Sequence, residues 1–316
     1  MRRILGMILA LVAIAAFSAG ASASQEALAI KLTDRLGTSQ TVNLASLPHL
    51  TYQASYKRSS GTIVGPFTYT GPSLNSVLAL MGGINKGDAV QLIAADGYRM
   101  SLTYEQVNGE VTVYSEKGEA LDEFTRPIMV LATSSDNPAF DGIRAIYSGP
   151  ANPLTDGHTW VKDIVEVRVI PMVKEWMLEL KGAVSAKMDR STFESLATCP
   201  ASPHPGEQHA STAGSYAGTP LWTLVSVVDN VEPENSHYTF DRQLAAKGYT
   251  VRVKSADGTY LDIKSQDMAD DGGYIVAFTK DGHILGDDEG PLVLTGPKVQ
   301  RAIFRIVSIE LIGLGD

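Results

Sequence analysis

The sequence predicts an α+β, mainly β protein built from two tandem copies of one unit behind a secretory signal. Three observations lead to this fold class. One order of turns and apolar runs occurs twice along the 316 residues, most apolar runs are short and end at glycine or proline turns, and few stretches have helical spacing. Many short strands with one or two helices are typical of mixed sheets that a helix covers.

The N-terminus has the three parts of a secretory signal peptide. Arg2 and Arg3 supply positive charge, residues 4–17 form an apolar run, and Ala21-Ser22-Ala23 offers the small residues of a cleavage site. The run is shorter than the roughly 20 residues of a spanning helix. We expect cleavage after Ala23, export by general secretion, a periplasmic or extracellular protein and no stable membrane anchor after cleavage. The alternative is an uncleaved N-terminal anchor.

Charge and cysteine content narrow the expected partners. The formal net charge is −9, and no basic run follows the signal, which argues against nucleic acid and anionic membrane surfaces as partners. Cys199 is the single cysteine, so no internal disulfide can form. The length suits two domains, which we place at residues 24–172 and 173–316 after a signal at 1–23.

The repeat is defined by four shared features in the same order. Each copy has an aromatic residue, a glycine turn and an apolar helical pattern, at residues 69–78 and 216–225. A strand and a tight turn follow, marked by Asp96-Gly97 and Asp257-Gly258. A buried strand then leads to a loop that closes on Gly149-Pro150 or Gly296-Pro297, and each copy ends in an apolar strand. Helices are predicted at residues 74–81 and 221–228, with one capped turn at 191–196 and a long loop over 200–215.

This order resembles the molybdopterin-binding domain of the sulfite oxidase family. The resemblance covers residues 176–312 best and 27–170 more faintly. It implies two tandem sulfite-oxidase-like domains of the molybdopterin-binding fold, with mixed sheets and a few short helices. In that family a cysteine before the aromatic-x-Gly turn ligates molybdenum, and basic side chains hold the pterin phosphate. A thiolate is a soft donor that suits such a metal, and a phosphate needs fixed cationic donors.

The resemblance implies a site in the second copy. Cys199 lies in the corresponding loop and would be the catalytic residue and metal ligand, while His204, His209 and Arg190 would bind the cofactor or substrate with it. The arginine common in the loop that closes on Gly-Pro is Arg144 in the first copy and Val293 in the second. The first copy has no cysteine and is degenerate in this respect.

Two functions from different classes follow. The first is an exported molybdopterin-dependent oxidoreductase that performs oxygen-atom or electron transfer on a small substrate, with a redox partner protein. The second is a cofactor-free periplasmic module on the same scaffold, which binds a small ligand or a protein. A zinc or copper site of Cys199, His204 and His209 is a further alternative, although its spacing matches no standard metal motif.

Overall fold

The computed structural model describes residues 28–58, 61–199, 206–229 and 238–314. The predicted signal at residues 1–23 and His204 lie outside the described residues. We call residues 28–172 the first half and residues 173–314 the second half.

The first half is mainly strand. Its strands are β1 (Ala29–Thr33), β2 (Ser39–Asn43), β3 (Leu50–Lys57), β4 (Ile63–Gly71), β5 (Asp88–Ala94), β6 (Arg99–Thr103), β7 (Val113–Tyr114), β8 (Ile128–Ala132), β9 (Ser134–Ser135), β10 (Arg144–Ser148), β11 (Leu154–Asp156) and β12 (Ile164–Pro171). Its helices are α1 (Leu74–Leu78) and α2 (Tyr104–Val107), with 3-10 turns at Leu44–Ser46, Ala79–Met81 and Gly157–Thr159.

The second half is also mainly strand. Its strands are β13 (Met177–Lys181), β14 (Ser185–Asp189), β15 (Glu207–Ser211), β16 (Gly214–Pro220), β17 (Thr250–Ser255), β18 (Tyr260–Lys264), β19 (Ile275–Lys280), β20 (His283–Ile284), β21 (Val293–Thr295) and β22 (Ile306–Ile312). Its helices are α3 (Arg190–Thr198), α4 (Leu221–Val225), α5 (Arg242–Lys247) and α6 (Ser265–Met268). Within the described ranges, no helix is both long and apolar enough to cross a membrane.

One five-stranded sheet in each half has the same strand order and directions. In the first half the order is β2-β1-β12-β5-β6, and in the second it is β14-β13-β22-β17-β18. The first and last strands of each half run parallel, and the other pairs are antiparallel. We call these the first and second principal sheets. Each is therefore a mixed sheet, as the fold class predicts.

Smaller features also coincide between the principal sheets. The final strand of each bulges at one residue, Val165 in β12 and Val307 in β22, where the pairing register shifts. The predicted Asp-Gly turns are present, with Gly97 at φ 93 and Gly258 at φ 88, a conformation that glycine adopts without steric cost. The turn carboxylate accepts the amide of Tyr98 in one half and of Thr259 in the other.

Each principal sheet buries one apolar face. In the first half Leu32, Leu92 and Val167 pack with α1. In the second half the apolar side chains of the second principal sheet pack with α4. Burying a large aliphatic side chain of this kind stabilises the fold by about 1.5–3 kcal/mol. The opposite face of the first principal sheet is polar, and its contacts with the second half form the sites described below.

Two predicted boundaries differ from the structure. The capped turn predicted at residues 191–196 is part of the longer helix α3, because its far end is held by contacts to the first half. The loop predicted at 200–215 contains β15, which pairs with β16 from Glu207 to Ser211. The helices predicted at 74–81 and 221–228 are present, although their last turns are 3-10 or irregular.

Candidate functional site

Arg190, predicted to hold cofactor, lies at the first position of α3 and is 1% exposed. Its guanidinium donates to Glu175 Oε1 at 2.7 Å and to the carbonyl oxygen of Ser101, in the first half, at 2.8 Å. The carboxylate of Glu194, one helical turn further on, lies 3.1 Å from Nη1. The described contacts of Arg190 therefore join the two halves.

The remainder of α3 continues this junction along β6, the edge strand of the first principal sheet. Glu194 Oε2 accepts the amide of Ser101 at 2.8 Å, and Thr198 Oγ1 accepts the amide of Arg99 at 3.1 Å. Side chains of a helix thus satisfy backbone groups that a neighbouring strand would otherwise bind. An exposed edge strand is a site of unwanted pairing, and a covering helix removes it. We call this set of contacts the α3 clamp.

The electrostatics of the clamp follow from its burial. Burial raises the pKa of Glu194, and the opposing charge of Arg190 offsets part of that effect. Burial lowers the pKa of Arg190, but the charges of Glu194 and Glu175 outweigh it and the pKa lies above its ordinary value. Arg190 therefore stays protonated and compensates the charge of Glu194.

Cys199 is the C-cap of α3 and is partly exposed. Burial raises the pKa of the Tyr98 phenol, which belongs to the first half. The nearby Cys199 also raises the pKa of Tyr98, by a smaller electrostatic effect. That phenol stays protonated, donates to the carbonyl oxygen of His158 and forms a second hydrogen bond with the hydroxyl of Ser195, both at 3.0 Å. Cys199 therefore lies at the boundary between the halves.

The other predicted ligand that the structure describes is His209. It is on β15 and pairs with Tyr216 on β16, so it belongs to a hairpin rather than to the loop predicted for it. Among the described residues, no group of three His, Cys, Asp or Glu side chains could hold a metal ion.

Arg144, the arginine that matches the family pattern, is in the core of the first half. It is 4% exposed, its Nη2 donates to the carbonyl oxygen of Ala139 at 3.3 Å, and its Nε has no hydrogen-bond partner. Its guanidinium carbon lies 5.5 Å from the centre of the Phe140 ring.

The donor set does not fit a bound molybdopterin. A buried arginine with an unpartnered nitrogen suits an anion such as phosphate, but Arg144 belongs to the first half and Cys199 to the second. Arg190 is engaged in the clamp, and a pterin phosphate would have to displace Glu175 and Ser101 from it. No described contact joins these three residues into one pocket.

A large cavity, which sequence reasoning missed, lies between the halves. We call it the central cleft; its volume is about 850 Å³. The polar face of the first principal sheet forms one wall with Lys31, Thr33, Gln91 and Arg168, and the segment joining the halves forms another with Met172, Val173 and Trp176. Residues 282–287 and 290–291 of the second half complete it. The alternation of Ile30-Lys31-Leu32-Thr33 is typical of a strand with one polar face. The sequence does not indicate which part of the protein packs on that face.

Ion pairs line much of the central cleft. Lys174 pairs with Asp287 at 2.7 Å within the second half, and Arg35 pairs with the buried Asp88 at 2.9 Å within the first. Glu175 lines the cleft and also binds Arg190, so the α3 clamp and the cleft share one residue. A volume in this range, with apolar walls and a few placed polar groups, is typical of small-molecule sites.

No protein-family model matches the chain, and no curated protein matches it. A chain in the crystal structure of the sulfane dehydrogenase SoxCD from Paracoccus pantotrophus is similar at 11% identity, with a TM-score of 0.36. The match covers 90% of this chain and 74% of that one. A TM-score at this level carries no argument about the fold or the activity of this protein.

Proposed function

We propose that this protein is an exported, cofactor-free binding protein that holds a small ligand in the central cleft. The observation that carries the proposal is the cleft itself, about 850 Å³ in volume and lined by both halves. Ligand sites occur preferentially between domains, and this volume suits a small organic molecule. In this proposal the α3 clamp fixes the two walls relative to one another.

We further propose that both halves are sulfite-oxidase-like units. The order of sequence features suggests it, and the common topology of the principal sheets, with bulges at Val165 and Val307, supports descent from one repeated unit. On this scaffold the polar face of one repeat has become a wall of the central cleft.

The proposal is tested with N-phenyl-1-naphthylamine, an uncharged dye that emits strongly in apolar surroundings. Trp176 lines the cleft and serves as an energy-transfer donor. We expect saturable binding at one site, transfer that falls in Trp176→Phe, and loss of binding in Gly286→Trp, because an added side chain at Gly286 has open space before it. Lys254→Trp, on an exposed strand position, is the matched control and should bind normally. Equal binding by Gly286→Trp and the control would refute a site in the cleft.

The second candidate is the molybdopterin-dependent oxidoreductase. The partial exposure of Cys199 at the end of α3 supports it, whereas the positions of Arg144 and Arg190 do not. The test measures molybdenum and pterin in protein made by a host that synthesises the cofactor. Stoichiometric metal that is lost in Cys199→Ser would show that a molybdenum cofactor binds at Cys199, whereas metal-free protein in both samples would favour the binding protein.

A further inference from the structure

The sheet wall of the central cleft carries two cations on one carboxylate. Strands β1 and β12 run parallel there, with Lys31 beside Glu166 and Thr33 beside Arg168. Glu166 Oε1 accepts from Thr33 Oγ1 at 2.8 Å and from Arg168 Nε at 3.0 Å, and it lies 3.6 Å from the ammonium of Lys31. One negative charge therefore faces two positive charges.

Glu166 stays ionised at neutral pH. Burial raises its pKa, but hydrogen bonds from Thr33 and Arg168 and the charges of Arg168 and Lys31 outweigh burial, so the pKa lies below its ordinary value. Lys31, Arg168 and Glu166 together therefore carry an excess of one positive charge. Lys31 has three N–H donors and makes no hydrogen bond within the described part of the chain, so it can bind another anion.

The other charged groups of the cleft are already engaged. Lys174 and Asp287 neutralise each other, Glu175 binds Arg190, and Arg35 binds Asp88. Asp34 accepts the amides of its own turn, those of Leu36 and Thr38. Lys31 and Arg168 are therefore the two cations of the cleft that share one carboxylate, and Asp34 has no paired cation among the described residues.

The apolar side chains of the cleft come mainly from the segment that joins the halves and from the loop of the second half. They include Val173, Trp176, Ile284, Leu285 and Pro291, and they lie among the polar residues Lys174, Glu175, His283 and Asp287. Met172, at 55% exposed, lies at the edge of this apolar group and can reorient to cover a bound molecule. Two cationic side chains and a group of apolar side chains thus border the same cavity.

The second principal sheet lacks this arrangement. By strand register, the position of Lys31 corresponds to Glu179, that of Glu166 to Ser308 and that of Arg168 to Glu310. The topology is the same, but the charge is reversed. The cation pair therefore belongs to the cleft and not to the scaffold.

We propose that the central cleft binds an amphipathic organic anion. Its anionic group contacts Lys31 and Arg168, and its apolar body packs against the wall that contains Trp176. This inference deepens the proposed function and rests on it. Charge-assisted hydrogen bonds to a guanidinium and an ammonium give the anionic group its affinity, and apolar burial adds the remainder.

The test compares two dyes with the same ring system. 8-Anilinonaphthalene-1-sulfonate carries a sulfonate, and N-phenyl-1-naphthylamine does not. We expect the wild type to bind the sulfonate about tenfold more tightly, and Lys31→Met and Lys31→Met/Arg168→Met to remove that preference stepwise while the neutral dye binds unchanged. Glu166→Gln should raise sulfonate affinity severalfold, because it removes the negative charge of the carboxylate that both cations contact. Lys181→Met, on the second principal sheet, makes the same charge change and should have no effect.

The outcomes separate the two proposals. If both dyes bind equally and the cation variants leave sulfonate affinity unchanged, the anion inference is wrong and the cleft remains a binding site. If neither dye binds and shows energy transfer from Trp176, the proposed function is wrong, and the anion inference is wrong as well. The single variant Lys31→Met leaves the contact between Arg168 and Glu166 intact, so misfolding of the double variant cannot hide the result.

Discussion

The two halves begin alike and then differ at one helix. In each half five residue pairs join the N-terminal hairpin, and the last residue of that hairpin caps the next helix, Asn43 in the first half and Asp189 in the second. The residue after Asn43 is Leu44, which is buried in the first core, whereas the residue after Asp189 is Arg190. The helix has three residues in the first half and nine in the second.

This difference shows how a repeated scaffold acquires an interface. The long helix of the second half uses Arg190, Glu194 and Thr198 to bind the edge strand β6 of the first half. The topology of the sheets is kept, and a short polar sequence decides which surface is covered. The following predictions test how far the two halves depend on that helix.

The largest expected effect comes from Arg190→Met. It leaves the carboxylate of Glu194 buried without its cation, and breaking a buried pair in this way costs about 3–5 kcal/mol of unfolding free energy. Urea unfolding followed by circular dichroism measures the change. We also expect the single transition to separate into two, because the clamp couples the halves. Arg126→Met removes an exposed pair with Glu110 and should leave the midpoint unchanged.

If Arg190→Met unfolds in one transition at the wild-type midpoint, the clamp does not couple the halves. Protein with Arg190→Met/Glu194→Gln should recover much of the loss, since a neutral amide needs no counter-charge and still accepts the amide of Ser101. Recovery by the double variant distinguishes loss of charge compensation from loss of packing.

The second prediction compares Gly71→Ala with Gly218→Ala. A Cβ at Gly71 would overlap the carbonyl oxygen of Leu131, and one at Gly218 would overlap that of Val276 at the corresponding crossing. Each should lower the unfolding free energy by about 3 kcal/mol, because the obstacle is backbone and cannot move aside. Thermal unfolding measures both, and Gly286→Ala, with open space, is the control. A large loss at one glycine alone would mean that the two crossings are not equivalent.

The smallest expected effect concerns the two helix caps. Asp189 accepts the amide of Thr192 at 2.7 Å, and Asn43 accepts that of Ala45 at 3.0 Å. Replacing either cap by alanine should cost about 1 kcal/mol at pH 7. Unfolding free energies of both variants and the wild type, measured from pH 7 to pH 2, test this.

The pH dependence should differ between the caps. Burial raises the pKa of Asp189, but hydrogen bonds from Thr192 and the charge of His158 outweigh it and the pKa lies below its ordinary value. Its stabilisation is therefore complete above about pH 4, the pKa of an unfolded aspartate, and is lost as pH falls through the folded pKa. The cost of Asp189→Ala should shrink at acid pH, while that of Asn43→Ala, which does not titrate, should remain. Parallel curves for the two variants would contradict this assignment.

Sequence reasoning recovered the mainly β class, the Asp96-Gly97 and Asp257-Gly258 turns and the helices that follow Tyr69 and Tyr216, because each depends on residues close together in the chain. It missed β15, since the short strand Glu207–Ser211 is recognisable only by its pairing with β16. It also placed Arg190 in a cofactor site, because an arginine near a cysteine gives no sign of the strand that it will meet. Cys199 and His209 as ligands remain predictions.

The sequence by itself determined the local elements and their repeated order, since turn, cap and alternation preferences act within a few residues. Only the tertiary structure decided that Arg190 meets Ser101 and that Lys31, Arg168 and Trp176 border one cavity. Arg190 is far from Ser101 in the chain, and Lys31 is far from Arg168 and Trp176, so these arrangements arise from the way the second half packs on the first principal sheet.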